Sequence, residues 1–129
     1  MKNPVAHFEI YGDDPEKLSG FYSELFDWTI RKTEGMDYWM VSTVASGPQG
    51  PTEPGGINGG IMKRPMPDAR NWLNYVSVRS IDETVRQAQD LGANVLTPKR
   101  PVPSMGWFAV LADPEKNVFG IWQDDPSAK

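Results

Sequence analysis

One feature limits the fold of this chain more than any other: the same order of elements occurs twice. Residues 5–11, "VAHFEIY", are rich in strand formers and stop at Gly12. "DDPEKLSGFYSELF" then reads as a helix, with Asp13 or Asp14 as its cap and Pro15 in its first turn. Asp13 with Glu16 also fits a capping box. Leu18, Phe21, Tyr22, Leu25 and Phe26 recur at i, i+3, i+4, i+7 and i+8, which predicts a buried helical face. Strands are expected at 28–32, 38–44 and 57–63. The Gly/Pro-rich loop "SGPQGPTEPGG" before the last of these is expected to hold no regular structure.

The second half repeats the plan. Residues 72–78 form a strand, and "SIDE" is a capping box with Ser80 at the cap and Glu83 three residues on. Ile81, Val85, Ala88 and Leu91 give the helical face, and Gly92 suits the left-handed residue beyond the last turn. A short strand follows at 93–98, then a Pro-rich loop, "PKRPVPSMG". "WFAVLA" and "NVFGIWQ" are strands joined by the turn "DPEK". Phe26-Asp27-Trp28-Thr29-Ile30 aligns with Leu91-Gly92-Ala93-Asn94-Val95, and Gly60 with Gly120. The expected fold class is therefore α+β: two βαβββ modules, about 4–64 and 71–125, within a single domain of residues 1–129. They are expected to be related by a pseudo-twofold axis.

Composition removes several functions. The net charge of −4 disfavours a nucleic-acid partner, since a phosphate backbone calls for a basic patch. It equally disfavours an anionic membrane surface. With no cysteine in the chain, disulfides, thiolate nucleophiles and thiolate-bound metals are excluded. No apolar leader or spanning run is visible, so the expected location is the cytoplasm.

The one histidine, His7, lies in "VAHFEI" with Glu9 two residues on. On a strand the two point to the same face. Both are metal-ligand types, but two ligands are too few for a bound metal. "HFEI" entering "DDPEKLSGFYSELFDW", with "VRSIDETVRQAQDLGANVLTP" and "WFAVLADPEKNVFGIW", resembles the vicinal oxygen chelate superfamily. That group includes glyoxalase I, the extradiol dioxygenases and the bleomycin- and fosfomycin-resistance proteins. The resemblance runs from about residue 5 to 123 and implies that the two modules form a half-open sheet around a cavity.

In metal-dependent members each module offers two strand-borne ligands. The resemblance puts the first-strand histidine on His7 and the fourth-strand glutamate on or beside Gly60. The fifth-strand histidine falls on Leu73, or on Asn74 one residue along, and the last-strand glutamate on Gly120. Lys116 stands where the family turn has glycine. Three of the four inherited ligand positions are thus lost, and no metal or other cofactor is expected.

The matched positions imply a cavity lined by His7, Glu9, Asn58, Gly60, Leu73, Tyr75, Gly120 and Trp122, with Phe8, Ile10, Val76, Val78, Phe119 and Ile121 under the helices. Alternation does not assign Trp39 or Trp107 to a face. The leading reading is a metal-free, bleomycin-resistance-like protein that binds a small amphipathic or aromatic molecule between the modules. The alternative is a lyase or isomerase of the glyoxalase-like group that uses Glu9 or His7 as acid–base, with or without a divalent metal. A homodimer is expected, because five tryptophans and five phenylalanines exceed what a small core needs.

Overall fold

A computed structural model describes residues 2–129. They divide into two compact units, residues 7–72 and residues 73–129, the latter taking in the stretch that leads to His7. In the first unit the elements are β1 (Val5–Gly12), α1 (Pro15–Phe26), β2 (Thr29–Lys32), β3 (Tyr38–Ser42), β4 (Ser46–Gly47), β5 (Gly50–Pro51) and β6 (Asn58–Lys63). Its main sheet runs β2-β3-β6-β1. β1 pairs parallel to β6, and the other pairs are antiparallel. A parallel pair needs a crossover, and the segment holding α1 supplies it.

The side chain of Asp14, not Asp13, caps α1 by accepting from the Lys17 N–H. Pro15 opens the first turn, and Asp27 closes the helix in a left-handed conformation. Phe8, Ile10, Val41 and Ile61 form the core, with Leu18, Tyr22, Trp28, Ile30 and Trp39 packed around it. Each buried side chain of this size contributes roughly 2 kcal/mol. Gly59 lets β6 approach β1, because a Cβ there would strike the Phe8 carbonyl and ring.

Two expectations for this unit need correcting. Pro15 and Ser19 are buried on α1, and Leu18 and Tyr22 pack on the core. The inward stripe is thus 15, 18, 19 and 22, and Phe21, Leu25 and Phe26 are more than half exposed. The apolar arc of α1 is wider than one packing face, and periodicity does not choose which part of it turns inward. The Gly/Pro loop also holds structure: β4 and β5 form a short ladder, Ser46 opposite Pro51 and Gly47 opposite Gly50. Gly50 makes its turn at φ 116°.

The second unit contains β7 (Leu73–Ser77), α2 (Ile81–Asp90), β8 (Asn94–Val102), β9 (Gly106–Ala112) and β10 (Val118–Asp124), in sheet order β7-β10-β9-β8. β7 is parallel to β10 and the rest are antiparallel. Within each unit, then, the first strand lies parallel to the last, with a helix following the first strand. Ser80 caps α2 by accepting from the Glu83 N–H, and Gly92 takes φ 103°. The core is Val78, Ile81, Ala109, Leu111 and Ile121, flanked by Val76 and Phe119. Phe8, Ile10, Val76, Val78, Phe119 and Ile121 therefore all belong to the cores, as alternation requires.

β8 runs through "PKRPV", which composition assigns to a loop. Its prolines are tolerated because it pairs on one side only, and its register shifts between Val95 and Thr97 and again before Arg100. Lys99 pins this stretch, 3.1 Å from Asp82 and 4.6 Å from the centre of the Trp107 ring. Among the described residues, no helix is long and apolar enough to cross a membrane.

Candidate functional site

Alternation along β1 places His7, Glu9 and Tyr11 on one face and Phe8 and Ile10 on the other. On β3, Trp39 and Val41 turn to the core, which sends Tyr38 to the His7 face. β6 runs between the two strands, with Gly60 opposite both Glu9 and Met40. Tyr38 reaches across β6, and a Cβ at Gly60 would fall on its phenol.

Four polar side chains meet there. The Tyr38 hydroxyl donates to Glu9 Oε2 at 3.1 Å, and the Tyr11 hydroxyl donates to Glu9 Oε1 at 3.2 Å. His7 Nε2 lies 3.0 Å from the Tyr38 oxygen and 3.6 Å from Glu9 Oε2. A phenol has one proton, and Tyr38 gives it to Glu9. His7 Nε2–H is therefore the donor to Tyr38, which fixes the imidazole tautomer. Glu9 is the more enclosed of the pair, its side chain 14% exposed against 37% for His7. Burial raises the Tyr38 pKa far above the ordinary tyrosine value, and the Glu9 charge and hydrogen bond raise it further. At neutral pH Tyr38 is thus a phenol that donates, never a phenolate base.

A divalent metal of the kind the resemblance implies for metal-dependent members does not fit this donor set. Among the described residues there is no group of three or more histidine, cysteine, aspartate or glutamate side chains arranged to hold an ion. Gly60 offers no donor atom, and Tyr38 fills the space where one would project. In the second unit Gly120 pairs with Tyr75, and a Cβ on Gly120 would fall on the Tyr75 ring. Leu73 is buried and carries no donor atom.

The remaining expected residues have other engagements. The Asn58 side chain accepts from the Thr43 N–H at 3.0 Å and donates to Ser46 at 2.8 Å, tying down the start of the Gly/Pro loop. Trp122 donates from Nε1 to Asp124 at 2.8 Å, with its ring over Gly106. Tyr75 is buried at 7%. Trp39 and Trp107 pack on the cores of their own units, and Trp107 donates to Asp125 at 2.9 Å.

Sequence reasoning misses Tyr11 and Tyr38. Tyr11 was within reach, since it follows Glu9 at the same-face spacing of two. Tyr38 was not: in "YWMV" both parities carry large side chains, so β3 has no readable inward face.

A family model described as a glyoxalase-like domain matches residues 8–122. Two mycobacterial proteins named "Putative glyoxylase CFP32", from Mycobacterium bovis and Mycobacterium tuberculosis, are each 30% identical over 122 residues. The match covers 92% of this chain and 43% of those proteins, so the chain spans less than half the length of these curated relatives. Among solved structures, a glyoxalase/bleomycin resistance protein/dioxygenase superfamily member from Vibrio splendidus 12B01 superposes with a TM-score of 0.63 at 11% identity, covering 95% of this chain and 100% of its own. A variant of Streptomyces coelicolor methylmalonyl-CoA epimerase in complex with 2-nitronate-propionyl-CoA gives 0.64 at 11% identity, covering 98% and 97%. At such identities the structural likeness carries the fold alone. The match to the family model covers most of the chain and carries the family: this chain belongs to the glyoxalase-like domain family.

Proposed function

We propose that this chain binds a small amphipathic or aromatic molecule without a metal, and that the His7–Tyr38–Glu9–Tyr11 set supplies its polar recognition. One observation carries the reading. Where a metal-dependent relative would project a carboxylate from β6, this chain has Gly60 beneath a tyrosine that hydrogen-bonds to the remaining ligand-type side chains. Aromatic rings with a few fixed polar groups are the usual make-up of a small-molecule site. The solved epimerase complex holds a CoA ester, which shows that this fold accommodates an organic ligand in that protein. A thermal-shift screen of aromatic and amphipathic compounds tests the proposal. A hit should raise the midpoint by mass action, and its affinity should fall in His7→Ala. A broad library without a His7-dependent hit would end the proposal.

The His7–Tyr38–Glu9 chain also supports a second reading, a lyase or isomerase. It links an imidazole to a carboxylate through one phenol, a path along which a proton can be held or passed. Turnover of a glyoxalase-type substrate, abolished in Glu9→Gln, would favour this reading over simple binding.

A homodimer completes the proposal. Phe21, Leu25, Phe26 and Trp72 are each about half exposed on the first unit, backed by the Tyr22–Trp28 stack. At roughly 100 Å² each, half of what such side chains bury in a core, the four present about 400 Å² of apolar surface. Paired with its like, that patch is about the centre of a standard interface.

A further inference from the structure

Gly60 and Tyr38 fit only as a pair. No side chain larger than hydrogen can stand at Gly60 while the phenol lies over it. The phenol also decides where the protons of the cluster sit. Tyr38 points its proton at Glu9 Oε2, Tyr11 points its own at Oε1, and His7 Nε2 carries a proton toward Tyr38. Each Glu9 oxygen keeps a second lone pair, so what the phenol takes away is the space above Gly60 from which a third ligand would project. The second unit reaches the same end by another strand. There the ring over Gly120 comes from β7, whereas the ring over Gly60 comes from β3.

We propose that Tyr38 is the specificity-determining residue of the site: seated over Gly60 between His7 and Glu9, it closes the site to divalent cations and leaves it to organic hydrogen-bonding ligands. This rests on the binding reading above and adds the residue that enforces it. The exclusion compounds the lack of ligands, because the phenol occupies the space that a third ligand at position 60 would need. Removing the phenol opens that space, and a carboxylate at position 60 would then join His7 and Glu9 in a three-ligand set.

The test uses Zn²⁺ and Ni²⁺ alone, titrated calorimetrically into the full chain. Wild type and Tyr38→Phe should show no His7-dependent binding, because the ring remains in Tyr38→Phe. Tyr38→Ala/Gly60→Glu should bind at least tenfold tighter than wild type and should lose that gain when His7→Ala is added. Equal affinity in wild type and the double variant would overturn the proposal, as would stoichiometric, His7-dependent metal in wild type. Should the double variant fail to fold, Tyr38→Ala/Gly60→Asp takes its place, with the same His7-dependent gain expected and affinity equal to wild type refuting. A second measurement reads the seating itself. Gly60→Ala should lower the denaturation midpoint in wild type and be tolerated in Tyr38→Ala; a harmless Gly60→Ala with Tyr38 present would refute it. None of these titrations needs an organic ligand. A failed compound screen would therefore sink the binding proposal while leaving this one to its own result.

Discussion

Tyr38→Phe removes one oxygen from the centre of the cluster and leaves the ring in place. Two hydrogen bonds go with it, one given to the Glu9 carboxylate and one received from His7. A bond to a charged group contributes about 1.5–3 kcal/mol, and the enclosed Glu9 oxygen loses its phenol partner. The half-exposed His7 recovers part of its share from water. The expected loss is about 2 kcal/mol at pH 7, or roughly 8 °C in melting temperature for a chain of this size. The pH dependence gives a sharper signature. Folding holds the Tyr38 proton above the pH at which the unfolded chain releases it, near pH 10. The folded-state pKa is raised, so this stabilisation is whole below about pH 10 and declines as the pH rises toward the folded value. Each unit above that point costs wild type about 1.4 kcal/mol from this group. Tyr38→Phe lacks the group but shares every other titrating residue. The stability gap between the two proteins, from urea midpoints at several pH values, should therefore be constant to about pH 10 and shrink beyond it. A gap that stays constant to pH 11, or a variant as stable as wild type at pH 7, would refute the buried, donating phenol.

Phe8→Ala should cost about 3–5 kcal/mol by urea denaturation, since Phe8 is 4% exposed and its ring contacts both Trp28 and Trp72. Lys116→Gly should raise stability by about 0.5–1 kcal/mol, because Lys116 holds φ 69° in the turn between β9 and β10, where glycine has no Cβ to strain. Phe26→Glu should turn a dimer into a monomer in sedimentation equilibrium without moving the ligand affinity; a wild-type monomer at micromolar concentration would refute the aromatic interface. Asp113, in the same turn, accepts from Asn117 and from the Glu115 N–H, which lowers its pKa. Its contribution is present above the ordinary carboxylate range and lost as the pH falls through the lowered value, so Asp113→Asn should flatten the acid limb of the stability curve.

The α+β class was legible because each half of the chain announces itself by local chemistry: Pro15 and Ser80 at helix starts, Gly92 past a helix end, and strand formers along β1 and β10. Trouble came where a local rule admits two answers. The apolar arc of α1 offers more faces than the sheet uses, which left Phe21, Leu25 and Phe26 outward. Proline marks a loop in sequence, yet in β8 it marks an edge, because only one side of that strand needs its N–H groups. At the site, His7 and Glu9 stand out as residue types and Gly60 as a vacancy. What fills the vacancy depends on the register of β3, and "YWMV" does not encode that by alternation.

The parallel pairing of β1 with β6 has a consequence in time. His7 lies opposite Asn58, 58 − 7 = 51 residues away along the chain. The β9–β10 hairpin joins Ala112 to Val118 across only 118 − 112 = 6. By the logarithmic rule for loop closure, the longer contact costs roughly 2 kcal/mol more chain entropy. The hairpin can therefore nucleate early, with Asp113 gathering its turn, whereas β1 waits for β6 to be in place. His7 and Glu9 ride on β1, so the cluster exists only once that late strand has docked. In the native protein Phe8 and Ile10 seat β1 in the core, so amides 7–11 should exchange only through wide opening of the first unit. A molecule that grips His7 would slow that exchange first, clamping the strand the chain is slowest to seat.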